Sequence, residues 1–220
     1  MPIKRAFDIL ASAVGLLLFS PVVIAVAVYV KLDSAGPVFY RGKRAGRNNR
    51  PFGIFKFRSM VTNADKIGGS STSGEDPRVT RSGRFIRKYK IDELAQLINV
   101  LRGDMSIVGP RPEILAYTSK YNGDLLQILT ARPGITDWAS IWNADEGAVL
   151  AGAKDPDRAY EILIQPTKLR LQLRYVRQQS FWTDMKIIVY TARRILNPDF
   201  YPRELADVPP LHPRAGTAVA

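Results

Sequence analysis

Two adjacent carboxylates, Asp92 and Glu93, open a stretch whose apolar residues Leu94, Leu97, Ile98 and Leu101 recur at helical spacing up to Gly103. Acidic side chains in a first helical turn cap orphan amides and complement the helix dipole. The same place attracts phosphate when cations surround it, and a carboxylate pair there can hold Mg²⁺ or supply a nucleophile. Cations are at hand. Period-2 alternation puts Lys56 and Arg58 on one face of a strand-like segment and Phe55 and Phe57 on the other, so the two cations either grip a diphosphate or form a solvated strand face. In Gly109-Pro-Arg-Pro-Glu113, Pro110 fixes its own φ and Pro112 pushes Arg111 toward an extended backbone. A guanidinium on so stiff a mount suits bidentate phosphate contact, or else belongs to a rigid surface turn.

Composition narrows the chemistry further. Cysteine is absent from the 220 residues, which removes disulfides, thiolate metal sites and thiol nucleophiles. The single histidine, His212, lies in a Pro-rich tail that reads as flexible, so imidazole catalysis and histidine-ligated zinc are not expected. What remains is carboxylates, Arg and Lys, hydroxyls and hard metal ions. The net charge is +12, and residues 38–90 alone carry fourteen Lys and Arg against three Asp and Glu. A basic layer of that kind binds anionic headgroups or a phosphate-rich substrate.

Several elements must position these groups. Residues 37–60 read as a β-hairpin whose connection runs through Gly42, Gly46 and Asn48-Asn49. Residues 68–74, Gly-Gly-Ser-Ser-Thr-Ser-Gly, read as a flexible loop, and 84–89 as a short basic helical turn bearing Arg87. Arg132-Pro-Gly-Ile-Thr136 predicts a type II turn centred on Pro133 and Gly134, with an architectural role. Asp155-Pro-Asp157 matches both an Asp-x-Asp metal motif and an N-cap followed by a first-turn proline. Residues 36–43 miss the P-loop spacing by one residue and place Arg44 where Ser or Thr is required. Residues 181–196 mix aromatics with Lys186, Arg193 and Arg194, as in a helix packed on a core or lying in a headgroup layer.

Residues 9–30 are uncharged and apolar, and as a helix of about 33 Å they match a bilayer core of about 30 Å. Ser20-Pro21 interrupts them near the middle. Proline frees the carbonyl of Leu17, and the Ser20 hydroxyl is expected to bond back to that of Leu16. Lys4 and Arg5 precede the run while Lys31, Arg41, Lys43 and Arg44 follow it, so the positive-inside tendency draws both ends to one side. A kinked spanning helix and a re-entrant one, with arms of about 16 Å each, are the two readings. Charge favours re-entry.

The order Lys4-Arg5 before a broken apolar segment, Lys56-Phe-Arg58, Asp92-Glu-Leu94, Gly103-Asp-Met-Ser106, Gly109-Pro-Arg-Pro112 and Arg132-Pro-Gly-Ile-Thr136 resembles the bacterial sugar transferases. More specifically it is similar to the small monotopic polyprenyl-phosphate phosphoglycosyl transferases, over roughly residues 2–197. That resemblance implies an α+β, mainly helical, membrane-associated protein with a re-entrant helix broken at Ser20-Pro21, a small β-hairpin and interfacial amphipathic helices. It divides the chain into a membrane segment (1–32), a cytosolic catalytic domain (33–200) and a flexible tail (201–220). The implied reaction passes a phosphosugar from a UDP-sugar to a polyprenyl (undecaprenyl) phosphate in the bacterial inner membrane, releasing UMP on the cytosolic face. Asp92 is implied as nucleophile, Glu93 in metal binding or positioning, Mg²⁺ as cofactor, and Lys56, Arg87 and Arg111 as phosphate-binding groups.

Phosphoryl transfer suits this residue set, because it needs positioning and charge neutralisation more than acid/base power. The chain departs from the commonest family pattern after Thr136, reading Asp-Trp-Ala-Ser-Ile-Trp-Asn-Ala144, so the resemblance carries over the reaction but not the sugar pocket. The alternative reading is a membrane-anchored, metal-dependent glycosyltransferase that uses Asp155 and Asp157 and releases UDP. Nucleic acid is not an expected partner, membrane lipids are, and a homo-oligomer is left open.

Overall fold

A computed structural model describes residues 2–67 and 76–211. The Gly/Ser-rich segment at 68–74 and His212 lie outside the described residues. The chain divides into two units, 1–64 with 77–135 and 65–76 with 136–220. The N-terminal helices pack within the first unit.

That unit begins with α1 (Pro2–Leu18) and α2 (Ser20–Asp33), bent by 63°. Pro21 has no amide to offer the Leu17 carbonyl, and the Ser20 hydroxyl takes its place at 2.7 Å. The acceptor is thus Leu17 and not Leu16: the hydroxyl answers the very carbonyl that the proline orphans. Among the described residues no single helix is long and apolar enough to cross a membrane, and the bent pair matches that length and composition only when its two helices are taken together.

Both ends of the pair are tied to the rest of the unit. At the start, Lys4 donates to the Val108 carbonyl (2.8 Å) and Arg5 to those of Val100 and Leu101 (2.6 and 3.0 Å), while the buried Asp8 accepts from Ser106 Oγ and Ile107 N. At the far end Asp33 accepts from Ser82 N at 2.8 Å, and the Arg58 guanidinium reaches the carbonyls of Val30, Ser34 and Ala35. Gly36, at φ 125°, makes room for that guanidinium; a Cβ there would lie 2.0 Å from its Nη1.

Antiparallel strands β1 (Phe39–Ala45) and β2 (Pro51–Phe57) follow, in register from Phe39 opposite Phe57 to Ala45 opposite Pro51. The expected hairpin is present, with strands that run through Gly42 and a tip at Asn48 and Asn49, both left-handed. Its Phe57 packs with Val26, Val30, Ile86 and Ala95 in one core cluster, and Ile54 with Val100 and Met105 in a second.

After the short turn α3 (Ala64–Ile67) and the undescribed segment comes α4 (Arg81–Lys88), capped at its N-terminus by Thr80. A 3₁₀ turn at Ile91–Ala95 leads into α5 (Gln96–Arg102), which ends on left-handed Gly103. Strand β3 (Ser106–Val108), α6 (Leu115–Thr118) and β4 (Gly134–Thr136) complete the unit up to Ile135. The type II turn expected around Gly134 is not formed. Gly134 lies in β4 without a positive φ, and its glycine is required because a Cβ would stand 2.0 Å from Gly109 N.

The second unit is helical: α7 (Trp138–Trp142), α8 (Glu146–Val149), α9 (Pro156–Ala159), a π turn, α10 (Gln165–Arg177) and α11 (Phe181–Leu196). Asp137, Asp145, Asp155 and Ser180 cap four of these helices with their side chains. The tail expected to be flexible from residue 201 is packed as far as it is described. Leu205 and Val208 are buried there, Trp142 donates to the Pro209 carbonyl, and Arg174 pairs with Asp207. The architecture is therefore mainly helical with a small antiparallel hairpin.

Candidate active site

The hairpin and α5 are locked together by Asn99. Its Oδ1 accepts from Phe55 N and its Nδ2 donates to Gly53 O, each at 2.8 Å. This fixes β2 against the helix so that Lys56, the next residue on the strand, turns toward the 3₁₀ turn holding the two carboxylates.

Lys56 Nζ lies 3.5 Å from Asp92 Oδ2 and 3.4 Å from Glu93 Oε1. Arg111 closes the group from the other side: Nη1 donates to Glu93 Oε2 at 3.1 Å and to the Ile135 carbonyl at 3.3 Å, and Nη2 donates to Glu93 Oε1. Lys56, Asp92, Glu93 and Arg111 are thus brought together. Gly109 makes the Arg111 mount possible, because a Cβ there would lie 2.3 Å from the Arg132 carbonyl.

Burial pushes the Glu93 carboxyl upward, but Arg111, Lys56 and Lys90 more than offset it and hold the group well below the usual carboxylate range. Glu93 is therefore a fixed anion pinned by a fork of two nitrogens. Asp92 is buried and shares Lys56 with it. Neither carboxylate occupies the N-cap position. The cap position is Lys90, left-handed at φ 54° and without a side-chain cap bond, and Asp92 and Glu93 stand in the first turn after it, where their charge complements the helix dipole.

Arg58 stands elsewhere. Strand β2 ends at Phe57, so the alternation that puts Lys56 and Arg58 on one face stops one residue short. Arg58 is buried, 4% exposed, with its guanidinium spent on the C-terminal carbonyls of α2. It closes a helix end, apart from the group that Lys56, Asp92, Glu93 and Arg111 form. Arg87 occupies the last turn of α4, where its Nε donates to Ser59 Oγ at 3.1 Å. Gly83 allows that approach, since a Cβ there would strike the Ser59 carbonyl at 1.9 Å.

Asp155 is an N-cap: its Oδ1 accepts from Arg158 N at 3.0 Å. Among the described residues, no group of three or more His, Cys, Asp or Glu could hold a metal ion unaided. Mg²⁺, however, needs only one or two protein carboxylates when substrate phosphates complete its shell, and the hard oxygens of Asp92 and Glu93 fit that requirement.

Sequence reasoning missed Lys90 and Asn99. Lys90 directly precedes Ile-Asp-Glu, a position from which its charge acts on Glu93, and that adjacency was the available signal. Asn99 carried none, being a polar residue on a helix whose apolar neighbours drew attention.

The family model described as bacterial sugar transferase matches residues 1–198. A UDP-N-acetylgalactosamine-undecaprenyl-phosphate N-acetylgalactosaminephosphotransferase of Aeromonas hydrophila is 40% identical over 199 residues, covering 88% of this chain and 44% of the relative. An undecaprenyl-phosphate glucose phosphotransferase of Komagataeibacter xylinus is 46% identical over 200 residues, covering 87% and 35%. A UDP-glucose:undecaprenyl-phosphate glucose-1-phosphate transferase of Caulobacter vibrioides is 36% identical over 199 residues, covering 89% and 70%. The chain spans under half the length of the first two. With the family model matching nearly all of its length, the chain belongs to the bacterial sugar transferase family.

Proposed function

We propose that this chain transfers a phosphosugar from a UDP-sugar to a membrane polyprenyl phosphate, releasing UMP. The observation that carries the reading is the division of labour between two adjacent carboxylates. Arg111 and Lys56 hold Glu93 as a pinned anion, while among the described residues Asp92 beside it has the Lys56 ammonium at 3.5 Å as its ion-pair partner. That asymmetry suits one structural carboxylate and one reacting carboxylate. The relatives act, by their names, on UDP-sugars and undecaprenyl phosphate, which supports the same donor and acceptor here.

An Asp92 oxygen attacks the β-phosphorus of the UDP-sugar. The bond from that phosphorus to the bridging oxygen breaks, UMP leaves with the bridging oxygen and its electron pair, and an aspartyl phosphosugar remains. A phosphate oxygen of the polyprenyl phosphate then attacks the same phosphorus, returning the Asp92 carboxylate and giving polyprenyl-diphosphate-sugar. Lys56 lies within reach to neutralise charge on the equatorial oxygens, and Arg111 and Arg87 supply further guanidinium charge to the diphosphate as it binds. Asp92 and Glu93 would hold Mg²⁺ jointly with that diphosphate, and the ion when bound adds charge neutralisation at the phosphoryl group.

The bent pair α1–α2 enters the cytosolic leaflet of the bacterial inner membrane and returns. Support comes from its anchoring, since Lys4, Arg5 and Asp8 at one end and Asp33 at the other bond to the same unit. A spanning helix would carry one of those ends about 30 Å away. Leu10, Leu17, Leu18, Ile24 and Leu32 are all more than 60% exposed, an apolar surface that water would not favour. The amphipathic helix α11, with Trp182 and Leu196 outward, suits the headgroup layer in the same way.

The deciding experiment incubates the chain with polyprenyl phosphate, Mg²⁺ and a panel of UDP-sugars and analyses the nucleotide released. UMP is expected, with one sugar preferred. UDP release would mean transfer of the sugar alone and would overturn the reading.

A further inference from the structure

Helix α4 presents two different faces. Ser82, Gly83 and Ile86 are buried, and Ile86 joins Val26 and Val30 of α2 in the core. The opposite arc is exposed and holds Arg81, Arg84 and Lys88 at helical spacing of three and four, which stacks them in one stripe. Phe85 and Tyr89 form a second stripe beside it and remain 47% and 58% exposed.

This aromatic stripe continues the apolar surface of the bent pair. Tyr29 on α2 meets Phe85 edge-on at 6.3 Å, and Phe85 meets Tyr89 at 5.0 Å. Val28 and Leu32, also on α2, are 53% and 82% exposed. Asp33 fixes the junction by accepting from Ser82 N, so α4 is held at the end of α2 where the apolar segment meets the rest of the unit. Aromatic rings at that level with cations alongside are the composition of a helix lying in a lipid headgroup layer.

We propose that α4 is a docking helix for anionic lipid headgroups, with Arg81, Arg84 and Lys88 on the phosphates and Phe85 and Tyr89 seated at the acyl boundary. The inference rests on the membrane reading of α1–α2 and adds to it a dependence on lipid charge. Each cation at an anionic surface contributes about fivefold in partitioning, so three together confer a strong preference for such lipids. The consequence for function is orientation: α4 leads into the 3₁₀ turn bearing Asp92, so anchoring it sets the height of the site above the bilayer.

The chain lacks cysteine, which permits a clean test with single-cysteine variants. Tyr89→Cys and Leu17→Cys variants, each labelled with bimane, are reconstituted in vesicles of pure phosphatidylcholine or of equal parts phosphatidylcholine and phosphatidylglycerol, doped with headgroup or mid-chain spin-labelled lipid. The label at 89 should be quenched by the headgroup probe mainly in the phosphatidylglycerol vesicles. Adding Arg81→Gln, Arg84→Gln and Lys88→Gln should reduce that quenching severalfold, and raising the salt should do the same without any of the three. The label at 17 should be quenched by the mid-chain probe in every case. Loss of quenching at 17 defeats the membrane reading itself. Quenching at 17 with an equally water-exposed label at 89 in both lipids defeats only the α4 proposal. Quenching at 89 that follows added polyprenyl phosphate and ignores phosphatidylglycerol would make the patch a substrate site and overturn it as well.

Discussion

The Ser20 hydroxyl donates to the Leu17 carbonyl at 2.7 Å, the same carbonyl that Pro21 deprives of its backbone donor. Adjacent residues thus make the break in the apolar segment and satisfy the polar group that the break exposes. In hydrocarbon an unsatisfied carbonyl costs several kcal/mol, roughly 2 to 7 by transfer scales, so the pairing is what makes a 63° bend tolerable there.

Single cysteines placed at Pro2 and Ser34 should both react with a membrane-impermeant reagent applied from the cytosolic side. The double substitution Ser20→Ala with Pro21→Leu restores a continuous amide ladder and should favour a straight helix. In that variant labelling at one of the two positions should move to the opposite side. Periplasmic labelling of Pro2→Cys in the otherwise unaltered chain would sink the re-entrant topology.

Arg58→Lys should act on stability, not on substrate affinity. A lysine cannot reach the carbonyls of Val30, Ser34 and Ala35 together, leaving buried acceptors unpaired at a cost of about 2 to 4 kcal/mol. The variant should unfold at lower urea with KM for the UDP-sugar unchanged. A raised KM at wild-type stability would restore Arg58 to the phosphate site.

How much of this was legible in the sequence depends on how local the cause is. Ser20-Pro21 and the hairpin depend on neighbouring residues, and both were found. The alternation placing Arg58 beside Lys56 was sound while the strand lasted, but what ends the strand is the C-terminus of α2, more than twenty residues away. Gly134 shows the same limit, because its need for a bare Cα comes from Gly109 across a backbone contact and not from its own φ. The four-residue site was legible as a set, since charge type and motif spacing mark its members. Its internal pairing was not: Arg111 was expected on phosphate and in this structure it holds Glu93.

That pairing has a pH signature. The Glu93 carboxyl sits below its ordinary 4.5, so its contribution to stability is complete above that pH and disappears as pH falls through the depressed folded value. Arg111→Ala leaves a largely buried carboxylate without its main partner. The cost at neutral pH should be somewhat under the ~3 to 5 kcal/mol of a fully buried pair, because Arg111 and Glu93 side chains retain 32% and 20% exposure. Acidification neutralises Glu93 in the variant first, so the stability gap in urea unfolding should narrow below about pH 5. A gap that stays constant down to pH 3 would mean that Arg111 stabilises by packing alone. In turnover, Arg111→Lys should be nearly as harmful as Arg111→Ala, losing about 30-fold to several hundred-fold, because one ammonium cannot replace the two-nitrogen fork.

Asp92 carries the sharpest prediction. It stands in the first turn and not at the cap position, so Asp92→Asn removes a negative charge 3.5 Å from Lys56 and otherwise preserves shape. The variant should fold with near-native stability and lose turnover by several orders of magnitude, since a carboxamide does not attack phosphorus as a carboxylate does. A nucleophilic Asp92 also demands ping-pong kinetics, because UMP departs before the lipid acceptor takes the phosphosugar. Protein incubated with UDP-sugar and Mg²⁺ but no lipid acceptor should release UMP in a burst of at most one equivalent. A hydroxylamine-sensitive phosphosugar adduct should then appear on the peptide containing Asp92. Glu93→Gln should weaken the site yet still permit a trace of adduct, whereas Asp92→Asn should permit none. If rapid-quench mass spectrometry finds no adduct, and initial-rate plots against the two substrates intersect as for a ternary complex, transfer is direct and Asp92 serves by orienting the diphosphate.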